Sequence, residues 1–146
     1  AIFTQIGRIL AIDYGLKRTG LAVADTLQMI ANGLATVPTA ELIAYLSTYI
    51  SKEKVETIVI GLPKQMNNEP SESMKYIEAF AALLKKNFSN IEITFYDERF
   101  TSVLAHRAML DGGLKKKKRQ NKELVDEISA VIILQSYLEN IKYQKL

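Results

Sequence analysis

The stretch RILAIDYGLKRTGLAVA, residues 8–24, decides the fold class of this chain. Residues 8–14 are mostly apolar and favour β structure, and residues 19–24 repeat this character after a turn bounded by glycines. Two short strands joined in this way predict an antiparallel hairpin. A weaker third strand is expected around residues 29–37, ending at Pro38 because proline cannot donate a hydrogen bond within a sheet.

Beyond this point, apolar residues recur at helical spacing in some segments and form short continuous runs in others. The pattern predicts helices over residues 41–52, 71–86, 101–110 and 122–139, and strands over residues 57–62 and 91–96. The order β-β-β-α-β-α-β-α-α predicts an α/β fold with a five-stranded mixed sheet, whose first three strands are antiparallel, and helices on both faces. Because the sequence contains neither an internal repeat nor a Pro/Gly-rich linker, we expect a single domain over residues 1–146.

Composition narrows the class of protein further. The chain has 146 residues, of which 48% are apolar and 24% charged, and it lacks an apolar run long enough to span a membrane. It contains no cysteine, so disulfides and cysteine-bound zinc are excluded and a cytoplasmic location is expected. His106 is the only histidine. A surface position is expected for His106 rather than a role as general acid or base, so any metal would be bound mainly by oxygen.

Three acidic residues lie where the pattern predicts apolar side chains. Asp13 ends a strand that otherwise reads as buried, where an ionised carboxylate is costly unless it is paired, hydrogen-bonded or metal-bound. Glu98 directly follows the strand at residues 91–96, and ligand sites in open α/β sheets gather at such carboxyl ends. Asp126 lies on the last helix, at the head of an apolar stripe.

Each of these acids also has a purely structural interpretation. Asp13 could cap a turn, Glu98 could lie in an exposed acidic-basic turn, and Asp126 could interact with the helix N-terminus. If the three instead converge, their mutual repulsion would be relieved by Mg²⁺ or Mn²⁺. Two such ions could activate water and stabilise the leaving oxygen of a phosphodiester.

Basic residues supply candidate phosphate contacts. Six positive charges fall within residues 115–122. A smaller pair, Lys17 and Arg18, lies near Asp13 in the sequence, and Arg99 directly follows Glu98. These residues predict nucleic-acid binding, although a solvated lysine loop is the alternative for the long run. The candidate nucleic-acid-binding residues are Lys17, Arg18, Arg99, Lys115, Lys116, Lys117, Lys118 and Arg119.

Four sequence blocks in order resemble the YqgF (RuvX-type) family of Holliday junction resolvase-like proteins, also described as nucleases that mature the 5′ end of pre-16S ribosomal RNA. The blocks are Asp13–Gly20, Ile60–Pro63, Asp97–Ser102 and Val125–Gln135. The resemblance covers about residues 7–138 and departs from the family pattern at residues 64–69 and at residues 127–130.

The resemblance implies a ribonuclease-H-like three-layer fold and metal ligands at Asp13, Glu98 and Asp126, with Asp97 as an accessory acid. Its implied partners are branched DNA or precursor ribosomal RNA, and the ribosome. Cleaving a four-way junction in pairs would also require a homodimer. The sequence does not choose between these substrates.

Two other classes of function stay open on the sequence. A non-catalytic RNA- or ribosome-binding module could keep the same fold. A nucleotide-phosphate enzyme is suggested by Asp13-x-Gly15 followed by Thr19-Gly20, but such enzymes enclose the nucleotide between two domains, and Leu21 stands where a P-loop requires lysine.

Overall fold

A computed structural model describes residues 7–62, 72–97 and 122–144. Its strands are β1 (Arg8–Asp13), β2 (Arg18–Ala24), β3 (Ala31–Pro38), β4 (Val55–Leu62) and β5 (Glu92–Asp97). A 3₁₀ turn (Thr39–Glu41) leads into α1 (Leu42–Lys52), and the other described helices are α2 (Glu72–Asn87) and α3 (Lys122–Gln144). The helix predicted over residues 101–110 and the loop over residues 63–70 lie outside the described residues.

All five described strands form one mixed sheet in the order β3-β2-β1-β4-β5. Strand β2 lies between β1 and β3 and is antiparallel to both. Strand β4 lies parallel to β1, and β5 lies parallel to β4. This arrangement confirms the predicted mixed sheet. The carboxyl ends of β1, β4 and β5 therefore meet at one edge, which we call the carboxyl edge.

The two faces of the sheet differ in the size of their side chains because consecutive residues of a strand point to opposite faces. The face covered by α1 and α2 carries large residues, including Leu10, Ile12, Leu21, Ile58 and Ile60. The face covered by α3 carries mainly small ones, including Ala11, Ala22, Ala24 and Ala31. Small side chains let α3 lie close to the sheet, and helices on both faces confirm the predicted layers.

The third described helix, α3, is buried on every side over residues 130–134. Its apolar sequence predicted this interior position, and the helix continues to Gln144, beyond the predicted end at residue 139. Within the described residues, no helix is long and apolar enough to cross a membrane.

The third strand begins two residues later than the pattern predicted. The carboxylate of Asp25 accepts hydrogen bonds from the backbone N–H groups of Met29 and Ile30, at 2.7 and 2.9 Å. These bonds keep Met29 and Ile30 in the turn between β2 and β3, so β3 begins at Ala31.

Candidate active site

Asp13 lies at the carboxyl edge, where β1 ends. Ile9 and Ala11 of the same strand pack in the core beneath α3, so strand alternation places Asp13 on the α3 face of the sheet. Asp13 is half-buried, and it pairs across the antiparallel ladder with Gly20 of β2. A carboxylate therefore lies on the α3 face at the point where the first hairpin turns.

Gly20 brings the last helix onto this point. A side chain at Gly20 would collide with the backbone carbonyl of Asp126, and its Cβ would also lie 3.0 Å from the backbone nitrogen of Glu127. The backbone of α3 thus occupies the space above Gly20 that any other residue would fill. Because Gly20 is the partner of Asp13, the same contact brings Asp126 to the level of Asp13.

An ion pair fixes the carboxylate of Asp126. The Nε of Arg18 donates a hydrogen bond to the Oδ2 of Asp126 at 3.0 Å. The Arg18 side chain is 37% exposed and that of Asp126 is 27% exposed, so solvent weakens the pair and its contribution to stability is under about 1 kcal/mol. Its main consequence is positional, because it places a guanidinium beside the carboxylate of Asp126.

Two threonines hold the hairpin turn, a role that the sequence did not predict for either of them. The hydroxyl of Thr39 donates to the backbone carbonyl of Gly15 at 2.6 Å, and the fully buried Thr19 hydroxyl lies 2.9 Å from the same Thr39 oxygen. Since Thr39 uses its proton on Gly15, Thr19 is the donor between the two hydroxyls. A polar residue inside an apolar strand was the available signal for Thr19, whereas Thr39 had none.

Asp97 ends β5 at the same edge but on the other face. It pairs with Leu62, which packs against the core beneath α1 and α2. The preceding residue, Tyr96, belongs to the core beneath α3, where its ring meets that of Tyr137 edge to face at 6.2 Å. Asp97, predicted as an accessory acid, therefore shares the edge with Asp13 but lies on the opposite face of the sheet.

The remaining predicted site residues fall into two groups. Lys17 is exposed in the hairpin turn, and its backbone carbonyl accepts a hydrogen bond from the N–H of Thr39 at 2.9 Å. The others lie outside the described residues: Glu98, Arg99, Lys115, Lys116, Lys117, Lys118 and Arg119. His106, for which a surface position was expected, also lies outside them.

The described part of the site is chemically suited to a hard cation. Asp13 and Asp126 both offer carboxylate oxygens, the donors that Mg²⁺ and Mn²⁺ prefer. Within residues 7–62, 72–97 and 122–144, no group of three His, Cys, Asp or Glu side chains is placed to hold a metal ion. A complete ligand set built on Asp13 and Asp126 would therefore need a donor from outside these ranges.

Solved structures define the class of fold. The Thermus thermophilus RuvC structure in complex with a Holliday junction superposes with a TM-score of 0.62 at 16% identity, covering 94% of this chain and 96% of that one. The yeast mitochondrial Holliday junction resolvase superposes with a TM-score of 0.51 at 15% identity, covering 99% and 86%. The fold is that of the ribonuclease-H-like proteins, as the sequence resemblance implied.

Family membership follows from comparison at the sequence level. The family model for RuvX, described as Holliday junction resolvase, matches residues 7–140. A Parabacteroides distasonis protein, named as a candidate pre-16S rRNA nuclease, is 70% identical over 95% of this chain and 99% of its own length. A Bacteroides thetaiotaomicron protein of the same name is 66% identical over 94% and 100%. This chain belongs to the RuvX family, a family of phosphodiester-cleaving nucleases.

Proposed function

We propose that this chain is a metal-dependent endonuclease whose active site lies at the carboxyl edge, on the α3 face of the sheet. Asp13, Glu98 and Asp126 would hold Mg²⁺ or Mn²⁺, in a two-ion arrangement. The observation that carries the proposal is the position of Gly20 between Asp13 and the last helix. Gly20 pairs with Asp13 in the sheet, and its α carbon faces the backbone of Asp126, which comes from the opposite end of the chain.

Glu98 is proposed as the third ligand because it directly follows β5 in the sequence, and β5 ends at the carboxyl edge. Asp97, the last residue of β5, lies on the face opposite to Asp13, so only an accessory role is proposed for it.

The chain's own residues would bind and orient the phosphodiester. The chemistry that the bound ions supply is neutralisation of phosphate charge and activation of water for attack on phosphorus. Arg18, beside Asp126, would contact a non-bridging phosphate oxygen, as guanidinium groups do well. The exposed ammonium of Lys17 would contact a neighbouring phosphate. Arg99 and the basic run from Lys115 to Arg119 would extend this contact.

We propose precursor 16S ribosomal RNA as the substrate, cleaved near its 5′ end by a single nuclease domain that acts in the cytoplasm and meets its substrate on the assembling ribosome. The high identity to relatives named for that activity supports this choice. The description of the family supports branched DNA as the second candidate, and cutting a Holliday junction in pairs would require a homodimer.

A cleavage assay with three matched substrates tests the proposal. Wild-type protein with Mg²⁺ or Mn²⁺ is given a pre-16S 5′ fragment, an unrelated single-stranded RNA and a four-way DNA junction. We expect cleavage of the pre-16S fragment, and we expect Asp13→Asn, Glu98→Gln and Asp126→Asn each to reduce its rate at least about 100-fold, because each removes a ligand charge.

The control for this assay is Glu41→Gln, which neutralises an exposed acid of the 3₁₀ turn and should leave the rate unchanged. Circular dichroism should show the same fold in all variants. Cleavage at the wild-type rate by any one of the three site variants would remove that residue from the mechanism. Binding of RNA without cleavage by the wild-type protein would point to a non-catalytic RNA-binding module instead.

A further inference from the structure

A small cleft opens at the carboxyl edge beside Asp13, on the side of the sheet covered by α2. It has a volume of about 80 Å³ and is lined by Tyr14, Gly15, Leu16, Tyr76 and Ile77. Tyr76 and Leu16 are 49% and 67% exposed, although such large apolar side chains are usually buried. The cleft therefore presents an aromatic ring and aliphatic side chains to solvent directly beside the proposed active site.

One wall of the cleft is packed against the core. The ring of Tyr14 stacks on that of Phe80, with ring centroids 4.7 Å apart and planes inclined by 25°. Phe80 is itself buried in the core beneath α2, and Ile77, which also lines the cleft, is buried beside it. Tyr14 and Ile77 thus pack against the core, while Tyr76 and Leu16 expose much of their side chains.

Charge identifies the kind of ligand that fits this cleft. Leu16 of the cleft is followed directly by the exposed Lys17, and the next residue, Arg18, pairs with Asp126 on the α3 face, so the cleft and the proposed active site each have a neighbouring cation. This combination matches a nucleotide, whose flat base stacks on aromatic rings while its phosphate pairs with cations. A purely apolar ligand would gain nothing from the cations.

The position of the cleft relates it to the site of cleavage. Asp13 and Tyr14 are consecutive residues, with Cα atoms about 3.8 Å apart. Asp13 lies on the α3 face, while Tyr14 packs against the core on the other face. A nucleic-acid strand that crosses the carboxyl edge would place a phosphate beside Asp13 and the adjacent base in the cleft.

We propose that this cleft binds one unpaired nucleobase of the substrate, next to the phosphate that is cleaved, with Tyr76 as the stacking residue. The proposal rests on the active site proposed above and adds a substrate class to it. A base inside a duplex must be unstacked and unpaired before it can enter such a cleft, which costs free energy. The protein should therefore favour unpaired segments, in RNA or at the ends and branch points of DNA, over intact duplex.

Binding measured without cleavage tests the base site separately from catalysis. Fluorescence anisotropy in EDTA would follow the full-length protein binding an oligonucleotide of about 12 nucleotides, as single-stranded RNA, single-stranded DNA and duplex RNA of the same sequence. We expect Tyr76→Ala to weaken binding of both single strands about 5- to 100-fold and to leave duplex binding unchanged. Tyr76→Phe, which keeps the ring, should bind within about twofold of wild type.

The matched control is Leu83→Ala, because Leu83 is a similarly exposed apolar residue on the same helix but does not line the cleft. It should bind all three oligonucleotides like the wild type. The proposal is overturned if Tyr76→Ala binds single strands like the wild type. It is also overturned if Tyr76→Ala weakens single-strand and duplex binding equally, since a stacking site for an unpaired base acts only on the former. If Tyr76→Ala weakens binding of only one of the two single strands, the proposal stands, and the result shows whether the cleft accepts a base of RNA or of DNA.

The Asp13→Asn variant separates failure of this proposal from failure of the proposed function. It should lose cleavage while binding the single strands as the wild type does, with the same dependence on Tyr76. If Asp13→Asn still cleaves, the proposed catalytic site is wrong, and the base site is judged by the anisotropy data alone.

Discussion

Gly20 determines how closely the last helix approaches the first hairpin. The backbone of α3 at Asp126 lies where a side chain of residue 20 would project, so the residue must be glycine for steric reasons alone. Gly33, on β3, also faces α3, but a side chain there would meet the end of the flexible Glu127 side chain. The two glycines beneath α3 thus have different neighbours. Gly20 faces the helix backbone, whereas Gly33 faces a side-chain carboxylate that can move.

Replacing Gly20 with alanine should force α3 away from the sheet. We expect Gly20→Ala to lower the free energy of unfolding by about 1–3 kcal/mol, as overpacking does in well-packed interiors. Cleavage should fall by more than the loss of stability explains, because Asp126 would move away from Asp13. Chemical denaturation and the cleavage assay measure the two effects.

The control is Gly33→Ala, where the Glu127 side chain can move aside. Its free energy of unfolding should stay within about 1 kcal/mol of the wild-type value. Equal destabilisation by the two substitutions would mean that α3 does not rest on Gly20 in the way described.

At this scale, the sequence singled out candidate acids but did not predict the contacts that hold them in place. Asp13 and Asp126 stood out because each carries charge within an apolar pattern. The close approach of Gly20 to the backbone of Asp126 is a contact between distant parts of the chain. The sequence around each of these two residues gives no sign of it. Thr39 was missed for the same reason, since its hydroxyl acts on Gly15 and Thr19 across a fold that the sequence pattern does not specify.

Among the elements, the turn between β2 and β3 is organised by one carboxylate. The Asp25 carboxylate accepts hydrogen bonds from the backbone N–H groups of Ile30 and Met29. These hydrogen bonds lower the pKa of Asp25 below its ordinary value of 3.8. The turn also holds Gln28 at a positive φ of 57°, and the Gln28 amide donates to the backbone carbonyl of Gly7 at 2.7 Å. The turn is therefore fixed by side chains rather than by a glycine.

The stability that Asp25 provides should depend on pH in one direction. Because its pKa is lowered by folding, its contribution is fully present above the unfolded value of 3.8 and is lost as pH falls through the lower folded value. We expect Asp25→Ala to lower the melting temperature by a constant amount between about pH 5 and 7, and the gap from wild type to narrow below about pH 4. Thermal melts across this range measure it.

Asp25→Asn provides the comparison, since an amide oxygen can still accept a hydrogen bond but does not ionise. It should lose less stability than Asp25→Ala at neutral pH. A gap between wild type and Asp25→Ala that stays constant or grows on acidification would contradict the role given to the ionised carboxylate.

The order and type of the described elements were predictable because each has a strong local period. The boundaries were less so. The third strand was placed two residues early because Met29 and Ile30 are apolar, and the sequence does not show that the Asp25 carboxylate binds their N–H groups. The last helix runs to Gln144 although its apolar pattern weakens after residue 139.

For the molecule as a whole, the sheet separates two cores of different character. Large aliphatic residues fill the space beneath α1 and α2, and small residues beneath α3 allow that helix to approach. Asp13 and Asp126, two of the residues proposed to hold metal, lie where the first strand and the last helix meet at the carboxyl edge. The chain belongs to a nuclease family and has the ribonuclease-H-like fold, whereas the metal and substrate site stays a prediction.

The most direct test of the account is the shift in melting temperature that Mn²⁺ produces in the wild-type, Asp13→Asn and Asp126→Asn proteins. If both carboxylates bind the same ions, Mn²⁺ at about 100 times its dissociation constant should raise the wild-type melting temperature by about 5–10 °C. Each variant should remain folded and lose most of that shift. A full wild-type shift in either Asp13→Asn or Asp126→Asn would contradict the account, because these two residues would then not form one metal site.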